Sequence, residues 1–480
     1  TNPIMASKKT CLVTGCSGFL GKKMVERLLK DGWDVRGLDL FECPIKEVQF
    51  IKGDLGDMDA LTRAVKGVDT IFHVAAAPYK GSRDLFWKVN VEGTQKLLDV
   101  AVENKVKHFV HTSSCSVVFR GQPVENGTEE MPYTEESFWF KDPYALTKAE
   151  AERRVLKANG VGGMATVAIR PHQIYGPGDR LYMPQVASRA KKLKIAMGDG
   201  KSKFVTTYVD NCVEGHILAA IALHTGGVKS KAAGQAYNIN DGESGKFWDY
   251  TFRIAAEVGG GNRAEMGKFW IPKPVALGMS WISEIIGRIT DTEVPLNWLA
   301  TTLVTTDRTY SIAKAQRDLG YKPIVSMEEG FTRTIADAKI TFEESQRQER
   351  LKPKQRLPLL SYWLLFVSAV SMFGTIQAFS TTDLLKQFQF NLAQDQVTPL
   401  AGRLFGSWTL LATLLRLTCA LDVQNKSIYR LTVVTFLIAA GFYGHNFFIA
   451  KTIDLRNVAM PMAFALPSLV WMTCFAPKKQ

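Results

Sequence analysis

Four long apolar segments close this 480-residue chain, and they restrict its fold more than any other feature. Residues 357–379, 431–450 and 457–477 contain no Asp, Glu, Lys or Arg, and residues 404–421 contain only Arg416. Each approaches the roughly 20 residues that cross a bilayer as a helix, where every backbone polar group must be satisfied internally. Of 59 Lys and Arg and 46 Asp and Glu, only nine and four lie beyond Leu357. The mean hydropathy of -0.04 therefore averages two unlike regions, and a single soluble domain is excluded. With 27 Phe and 10 Trp available for burial, disorder is excluded as well.

The loops between these segments carry a charge asymmetry. Lys and Arg number five before the first span, two in each of the three connections, and two at the tail. One side of a four-span bundle thus holds nine and the other four, which places both chain ends in the cytosol. Arg416 lies five residues from the cytosolic end of its span, where a snorkelling role is expected rather than a buried functional one. The net charge of +13 divides into +8 before Pro358 and +5 from there on. Such an even spread suits a membrane surface, and no nucleic-acid motif accompanies it. The seven cysteines are scattered without a Cys-x-x-Cys spacing, which indicates a reducing compartment with neither disulfide framework nor metal site. No signal-peptide pattern opens the chain, and Met5 is a candidate initiator.

The first 340 residues follow another rule. The apolar run 10–14 leads into GCSGFLG and then an amphipathic pattern on Leu20, Met24, Val25, Leu28 and Leu29. That is strand, glycine turn and helix, the start of a βαβ unit. Further strands are expected at WDVRGLDL, TIFHVAA, HFVHTSS and TVAIRP, with helices near 91–103 and 144–158. The alternation predicts an α/β fold of the Rossmann type, a doubly wound parallel sheet covered on both faces. From about 180 to 340 it weakens, and a smaller substrate lobe woven into the core is expected. Residues 269–290 are apolar apart from Lys273, Glu284 and Arg288, so they read equally as a buried lobe helix or an interfacial membrane contact. The charged stretch 341–356 reads as a linker, and 357–477 as an all-α membrane domain of four transmembrane helices.

Chemistry concentrates at the strand ends. Gly15, Gly18 and Gly21 stand three apart at the first strand-to-helix turn, where a pyrophosphate meets backbone N–H groups and the helix N-terminus. Asp39 ends the next strand, 18 residues past Gly21. A carboxylate there accepts ribose hydroxyls and repels a 2′-phosphate, which favours NAD over NADP, although Arg36 and Lys46 stand near. Asp54, in Gly53-Asp54-Leu55, is placed to meet the adenine or simply to make a turn. In Asp142-Pro143-Tyr144-Ala145-Leu146-Thr147-Lys148, Asp142 caps a helix and Tyr144 and Lys148 share one face. An ammonium beside a phenol favours the phenolate, the form that abstracts a proton. Tyr310 and Lys314 repeat the spacing far from any glycine turn and read as an ordinary helix face. Tyr144 is distinguished by Thr112-Ser113-Ser114 at the end of a parallel strand, since Ser114 can hydrogen-bond a substrate oxygen. The His108 and His111 pair reads as structural.

The ordered motifs TGCSGFLG, HVAAAP, VNVEGT, TSSCSVVF, YALTK and IRPHQIYGPGD resemble the extended short-chain dehydrogenase/reductase superfamily over about residues 8–340. YVDNCVEGHILAA and AQRDLGYKPIVSMEEG resemble its 3β-hydroxysteroid dehydrogenase branch, especially the decarboxylating sterol 4α-carboxylate 3-dehydrogenases. The resemblance implies Tyr144 as general base, Lys148 on the nicotinamide ribose and Ser114 on the substrate oxygen. It implies cofactor contacts at Gly15, Gly18, Phe19, Leu20, Gly21, Asp39, Asp54, Leu55, Ala75, Lys148 and Pro171, with NAD as cofactor and no metal.

Residues 397–441 resemble ergosterol biosynthetic protein 28, an endoplasmic-reticulum tether for the enzymes of sterol C4 demethylation, most closely at RLFGSWT and NKSIY. The match departs at Phe442-Tyr443-Gly444-His445-Asn446, where that family has a His-Phe pair followed by an acid. Together these imply oxidation and decarboxylation of a 4α-carboxysterol at the endoplasmic-reticulum membrane, with the catalytic half facing the cytosol. A sterol C4-monooxygenase and a 3-ketosteroid reductase are the implied partners, and nucleic acid is not one. Three alternatives share the scaffold: a 3β-hydroxysteroid dehydrogenase/isomerase, another hydroxysteroid or flavonoid-type reductase, and a nucleotide-sugar epimerase. A fourth, of another class, is an assembly scaffold in which the dehydrogenase is secondary.

Overall fold

The computed structural model describes residues 9–78, 81–137, 142–180, 182–190, 193–290, 294, 296–351, 358–381, 383 and 385–474. It divides into two compact units, Thr1–Glu284 with Pro295–Leu351, and Ile285–Val294 with Lys352–Gln480.

The first unit is built on seven strands: β1 (Thr10–Thr14), β2 (Asp34–Asp39), β3 (Gln49–Lys52), β4 (Thr70–His73), β5 (His108–Thr112), β6 (Ala165–Pro171) and β7 (Gln235–Ile239). They form one sheet in the order β7-β6-β5-β4-β1-β2-β3, and all six pairings are parallel. Both β4 and β5 are buried at every position, as a sheet covered on two faces requires. One face packs on helices Phe19–Lys30 and Val209–Gly226 through Met24, Val25, Leu28, Val213 and Ile217. The other packs on helices Met58–Val65 and Thr94–Glu103 through Leu61, Val65, Leu97 and Ala101. The chain reverses direction across the sheet between β1 and β4, the switch point where open α/β sheets bind ligands outside the strands' carboxyl ends.

The lobe is interleaved with this core. A four-stranded sheet joins Ser244–Lys246, Lys203–Val205, Arg308–Tyr310 and Val124–Gly127, so one of its strands precedes the helix Pro143–Lys157, while β7 returns to the main sheet. Two expectations fail here. Tyr310 ends the strand Arg308–Tyr310 and Lys314 begins the helix Ala313–Leu319, so the second Tyr-x-x-x-Lys pair does not share a helix face. The stretch 341–351 is not linker but the last part of the helix Met327–Leu351, where Glu343 and Arg347 at i and i+4 favour helix in spite of their polarity. Residues 352–357 lie outside the described residues.

Residues 269–290 also depart from the buried-helix reading. Phe269–Ile271 is a strand paired with Ile195–Met197, and Lys273–Thr290 is a helix. Its Ala276 and Ser280 are buried, yet Val275, Met279, Trp281 and Ile282 are exposed.

In the second unit four helices match the apolar segments: Leu359–Ser380, Pro399–Leu421, Lys426–Phe448 and Leu455–Cys474, each long and apolar enough to cross a membrane. Their shared core includes Leu364, Cys419, Phe436 and Ala465. Trp363 Nε1 donates to Ser468 Oγ at 2.9 Å, and Tyr429 OH to the Met472 carbonyl at 2.7 Å. Arg416 does not snorkel. It is 7% exposed, with Nε on Thr435 Oγ1 at 3.2 Å, Nη1 on Ser371 Oγ at 3.0 Å and the Phe436 ring 4.2 Å away. Side chains on a helix lean toward its N-terminus. That lean turns Arg416 away from the near end of its helix at Leu421 and into the bundle.

Candidate active site

The glycine turn after β1 is shaped by close approach. Gly15 has φ +71°, a conformation favoured by glycine, and a Cβ on it would lie 2.9 Å from the Ala75 backbone beyond β4. A Cβ on Gly21 would overlap the Gly15 carbonyl oxygen, so only glycine lets the helix sit this near the strand. The Gly15 N–H donates to the Leu38 carbonyl at 2.8 Å, tying the turn to β2. Gly18 caps helix Phe19–Lys30 without a side-chain acceptor, leaving its first N–H groups for an anion. Leu20 and Gly21 are buried, and Phe19 is half-buried beside Gly176 and Gly178.

At the end of β2, the Asp39 carboxylate accepts the Ser17 N–H at 3.0 Å and the Phe41 N–H at 3.2 Å. Arg36 is committed elsewhere: Nε donates to Gln49 Oε1, and Nη1 to the carbonyls of Arg63, Ala64 and Lys66. Asp54 closes its own turn by accepting the Gly56 N–H at 2.6 Å, whereas Leu55 is buried in the core against Gly93. Pro171 ends β6 in register with Ile239, buried behind the sheet edge.

The helix Pro143–Lys157 starts as its sequence dictates. Asp142 accepts the Ala145 N–H at 3.0 Å, and proline occupies the first turn. Tyr144 is half-buried and meets the Phe86 ring edge-on at 6.0 Å. One turn later Lys148 is buried, and its ammonium donates to the backbone carbonyl of Thr112 at the end of β5. Burial pulls its pKa down from 10.5 to about 8, against the opposing pull of the Glu152 carboxylate. Ser114, two residues beyond Thr112, accepts from the Ser116 N–H at 3.2 Å and the Ser116 hydroxyl at 2.8 Å, leaving its own proton to donate. The Lys148 ammonium thus lies at the end of β5 and Ser114 just past it, with Tyr144 one helical turn before Lys148, and the glycine turn and Asp39 lie at the ends of β1 and β2. A phenol beside a buried ammonium can exchange a proton with an alcohol, and the serine can hydrogen-bond the oxygen that results.

Three supporting groups escaped sequence reasoning. His73, at the end of β4, lies between Thr14 Oγ1 at 2.8 Å and Thr94 Oγ1 at 2.9 Å, and burial drops its pKa to about 3, so it is neutral. Thr14 in turn accepts the Ala75 N–H, which locks the β4 exit against the glycine turn. Asn90 accepts the Ala77 N–H at 2.9 Å and donates to Thr147 Oγ1 at 3.1 Å, joining that segment to the helix Pro143–Lys157. Glu152, one turn past Lys148, is fully buried in a bidentate pair with Arg170 and accepts from Tyr133 OH. HVAAAP and VNVEGT contain the first two, but a motif does not say that a side chain turns inward to link elements. Among the described residues no group of three or more His, Cys, Asp and Glu could hold a metal ion.

The profile described as the 3-beta hydroxysteroid dehydrogenase/isomerase family matches residues 12–267, more than half of the sequence. The chain belongs to that family. Residues 360–470 match a second profile, described as Erg28 like protein. A mouse sterol-4-alpha-carboxylate 3-dehydrogenase, decarboxylating, is 36% identical over 342 residues, covering 70% of this chain and 92% of the mouse protein. An Arabidopsis thaliana 3beta-hydroxysteroid-dehydrogenase/decarboxylase isoform 2 is 36% identical over 351 residues, covering 68% of this chain, which spans 62% of that relative's length. The crystal structure of UDP-glucuronic acid 4-epimerase from Bacillus cereus in complex with NAD shares the fold at 23% identity, with a TM-score of 0.52 over 70% of this chain and 98% of that one. This chain thus joins its dehydrogenase-family region to a second, Erg28-like region of membrane-capable helices.

Proposed function

We propose that the chain oxidises the 3β-hydroxyl of a 4α-carboxysterol to the ketone, with loss of the C4 carboxylate as carbon dioxide. The observation that carries this reading is the fusion itself. A region matching the 3β-hydroxysteroid dehydrogenase family, with relatives named for this reaction, is joined to an Erg28-like region in one polypeptide.

A nicotinamide dinucleotide fits the residues present. Gly15, Gly18 and Gly21 hold the turn tight with the first N–H groups of the helix uncapped by a side chain, where a pyrophosphate would be held, and Asp39 stands at the next strand end for the ribose. The pinned Asp39 carboxylate and the engaged Arg36 support NAD over NADP. The dinucleotide supplies the hydride acceptor when bound. Phe19, Leu20, Asp54, Leu55, Ala75 and Pro171 line its proposed path, and Lys148 holds its nicotinamide ribose.

Tyr144, as phenolate beside the Lys148 ammonium, takes the proton of the C3 hydroxyl while the hydride leaves C3. Ser114 donates to the oxygen as it becomes a ketone. The product is a β-keto acid. Its C4–carboxyl bond breaks with the electron pair moving into the C3 oxygen as an enolate, which the Ser114 and Tyr144 hydroxyls stabilise. A proton then returns to C4.

The four membrane-capable helices hold the enzyme where a lipid-soluble substrate partitions. The loop asymmetry of nine against four supports a cytosol-facing catalytic unit on the endoplasmic reticulum. There the Erg28-like region tethers the enzyme beside a sterol C4-monooxygenase and a 3-ketosteroid reductase. Sterol mass spectrometry of cells lacking the protein tests this reading. A 4α-carboxysterol is expected to accumulate, and an unchanged sterol profile contradicts the proposal.

A further inference from the structure

The helix Pro399–Leu421 carries a polar stripe inside an otherwise apolar bundle. Thr409, Thr413 and Arg416 stand at i, i+4 and i+7, on one face. Two further stripes meet it within the same unit: Ser368, Ser371 and Thr375 on Leu359–Ser380, and Thr432 and Thr435 on Lys426–Phe448, each at helical spacing. Hydrogen bonds join them across the helices. Thr375 Oγ1 donates to Thr409 Oγ1 at 2.9 Å, Thr432 Oγ1 to the Leu415 carbonyl at 3.3 Å, and Arg416 to both Ser371 and Thr435. Ser368, Thr375, Thr413, Thr432 and Thr435 are buried, so this is an internal polar seam rather than a wetted face. Hydroxyls alone would serve as interhelical glue. An arginine at the centre of that seam is far costlier than glue requires, and an intramembrane charge of this kind marks a function.

Depth and valence narrow what that function is. Ser371 and Thr435, which hold the guanidinium, each stand nine residues from the nearer end of their helix, about 14 Å along the axis at 1.5 Å per residue. That is close to half of the roughly 30 Å thickness of a hydrocarbon core. Nε and Nη1 each meet a neutral hydroxyl, and among the described residues no hydrogen bond takes Nη2. Thr435 spends its own proton on the Thr432 carbonyl at 2.7 Å, so toward Arg416 it acts as acceptor. The positive charge is therefore oriented by the seam but not neutralised by it. Ser371 is half-buried, and there the seam reaches the outside of the bundle.

A phospholipid phosphate stays at the bilayer surface and does not follow a site to that depth. A carboxylate carried on an apolar body does. We propose that Arg416, with Ser371 and Thr435, binds the carboxylate of a membrane-dissolved acid, the planar guanidinium donating to its oxygens. Two sources share this chemistry: a long-chain fatty acid, and a 4α-carboxysterol, whose 3β-hydroxyl beside the carboxylate would meet the hydroxyls of the seam. The sterol source rests on the function proposed above, whereas the site itself does not. A sterol acid held there is a reserve of substrate on the same chain.

The full-length protein in lipid nanodiscs tests the proposal with photoactivatable probes: a diazirine fatty acid, a 4α-carboxysterol with the diazirine on its side chain, and the methyl ester of each. Adducts are mapped by peptide mass spectrometry. At least one acid is expected to label Leu359–Ser380 or Lys426–Phe448, with its ester labelling about 10–100-fold less, the range a charge-assisted hydrogen bond commands. Which acid labels identifies the source. Arg416→Gln should bring the labelling down to the level of the ester, and Arg416→Lys should restore part of it. Equal labelling by acid and ester overturns the proposal, as does labelling by neither acid or undiminished labelling of Arg416→Gln. Acid and ester are compared in the natural chain, so a variant that fails to fold leaves the test standing. Adducts of the sterol probe in the dehydrogenase unit are read separately. Their absence, with the helices still labelled, counts against the proposed function and not against this site.

Discussion

Two buried arginines show how differently the two units handle a charge. Arg170, in the dehydrogenase unit, is 2% exposed and fully compensated: Glu152 takes its Nε and Nη2, Glu129 offers a carbonyl, and Tyr133 stacks over it. Arg416, among the apolar helices, is 7% exposed and, among the described residues, meets two hydroxyls and the Phe436 ring but no carboxylate. The four acids of that half, Asp383, Asp395, Asp422 and Asp454, stand outside the spans or at their ends. The difference teaches what each unit depends on. The first fixes its buried charge with a paired carboxylate, whereas the second packs apolar surface and meets its buried charge with hydroxyl contacts.

The strongest way to break this comparison is at the Tyr144 phenol, the proposed general base. Tyr144→Phe keeps the ring against Phe86 and is expected to lower hydride transfer by about 10²–10⁴-fold, with NAD affinity unchanged by titration. Retained turnover would dissolve the catalytic assignment. Glu152→Gln leaves the Arg170 charge buried without its partner, at a cost of about 3–5 kcal/mol in thermal unfolding.

A third effect is set by pH. Lys148 titrates at about 8 in the folded chain and near 10.5 when unfolded, so between those values the unfolded state binds more protons. The group therefore adds stability as pH rises through that window, by up to about 1.4 kcal/mol per unit, and its contribution is lost as pH falls back. Lys148→Met should abolish that slope in melting experiments. Turnover of the natural chain should decline above pH 8 as the ammonium is lost. The smallest effect is expected at Arg416→Leu, where removing an uncompensated charge from an apolar bundle changes stability by no more than about 1 kcal/mol in detergent. A loss as large as that of Glu152→Gln would erase the contrast.

The same contrast governs how much could be read from the sequence. The parallel sheet, the glycine turn and the Tyr144–Lys148 face were legible because each depends on local spacing: alternation, glycine where a Cβ collides, and i to i+4 on a helix. The four membrane-capable helices were legible from composition alone. What stayed hidden depends on distant partners. His73 joins Thr14 to Thr94, Asn90 joins two elements, and Arg416 finds Ser371 45 positions away. Local charge also misled, since residues 341–351 are helical in spite of their polarity. An apolar run could not announce whether 269–290 would turn inward or outward, because that is decided by what Ala276 and Ser280 pack against.

The central claim is tested most directly by offering the purified full-length protein NAD and either a 4α-carboxysterol or a 4-unsubstituted 3β-hydroxysteroid, following NADH and carbon dioxide together. The account predicts both products in equal amounts from the carboxysterol. Turnover of the unsubstituted steroid alone, with no carbon dioxide released, would contradict it.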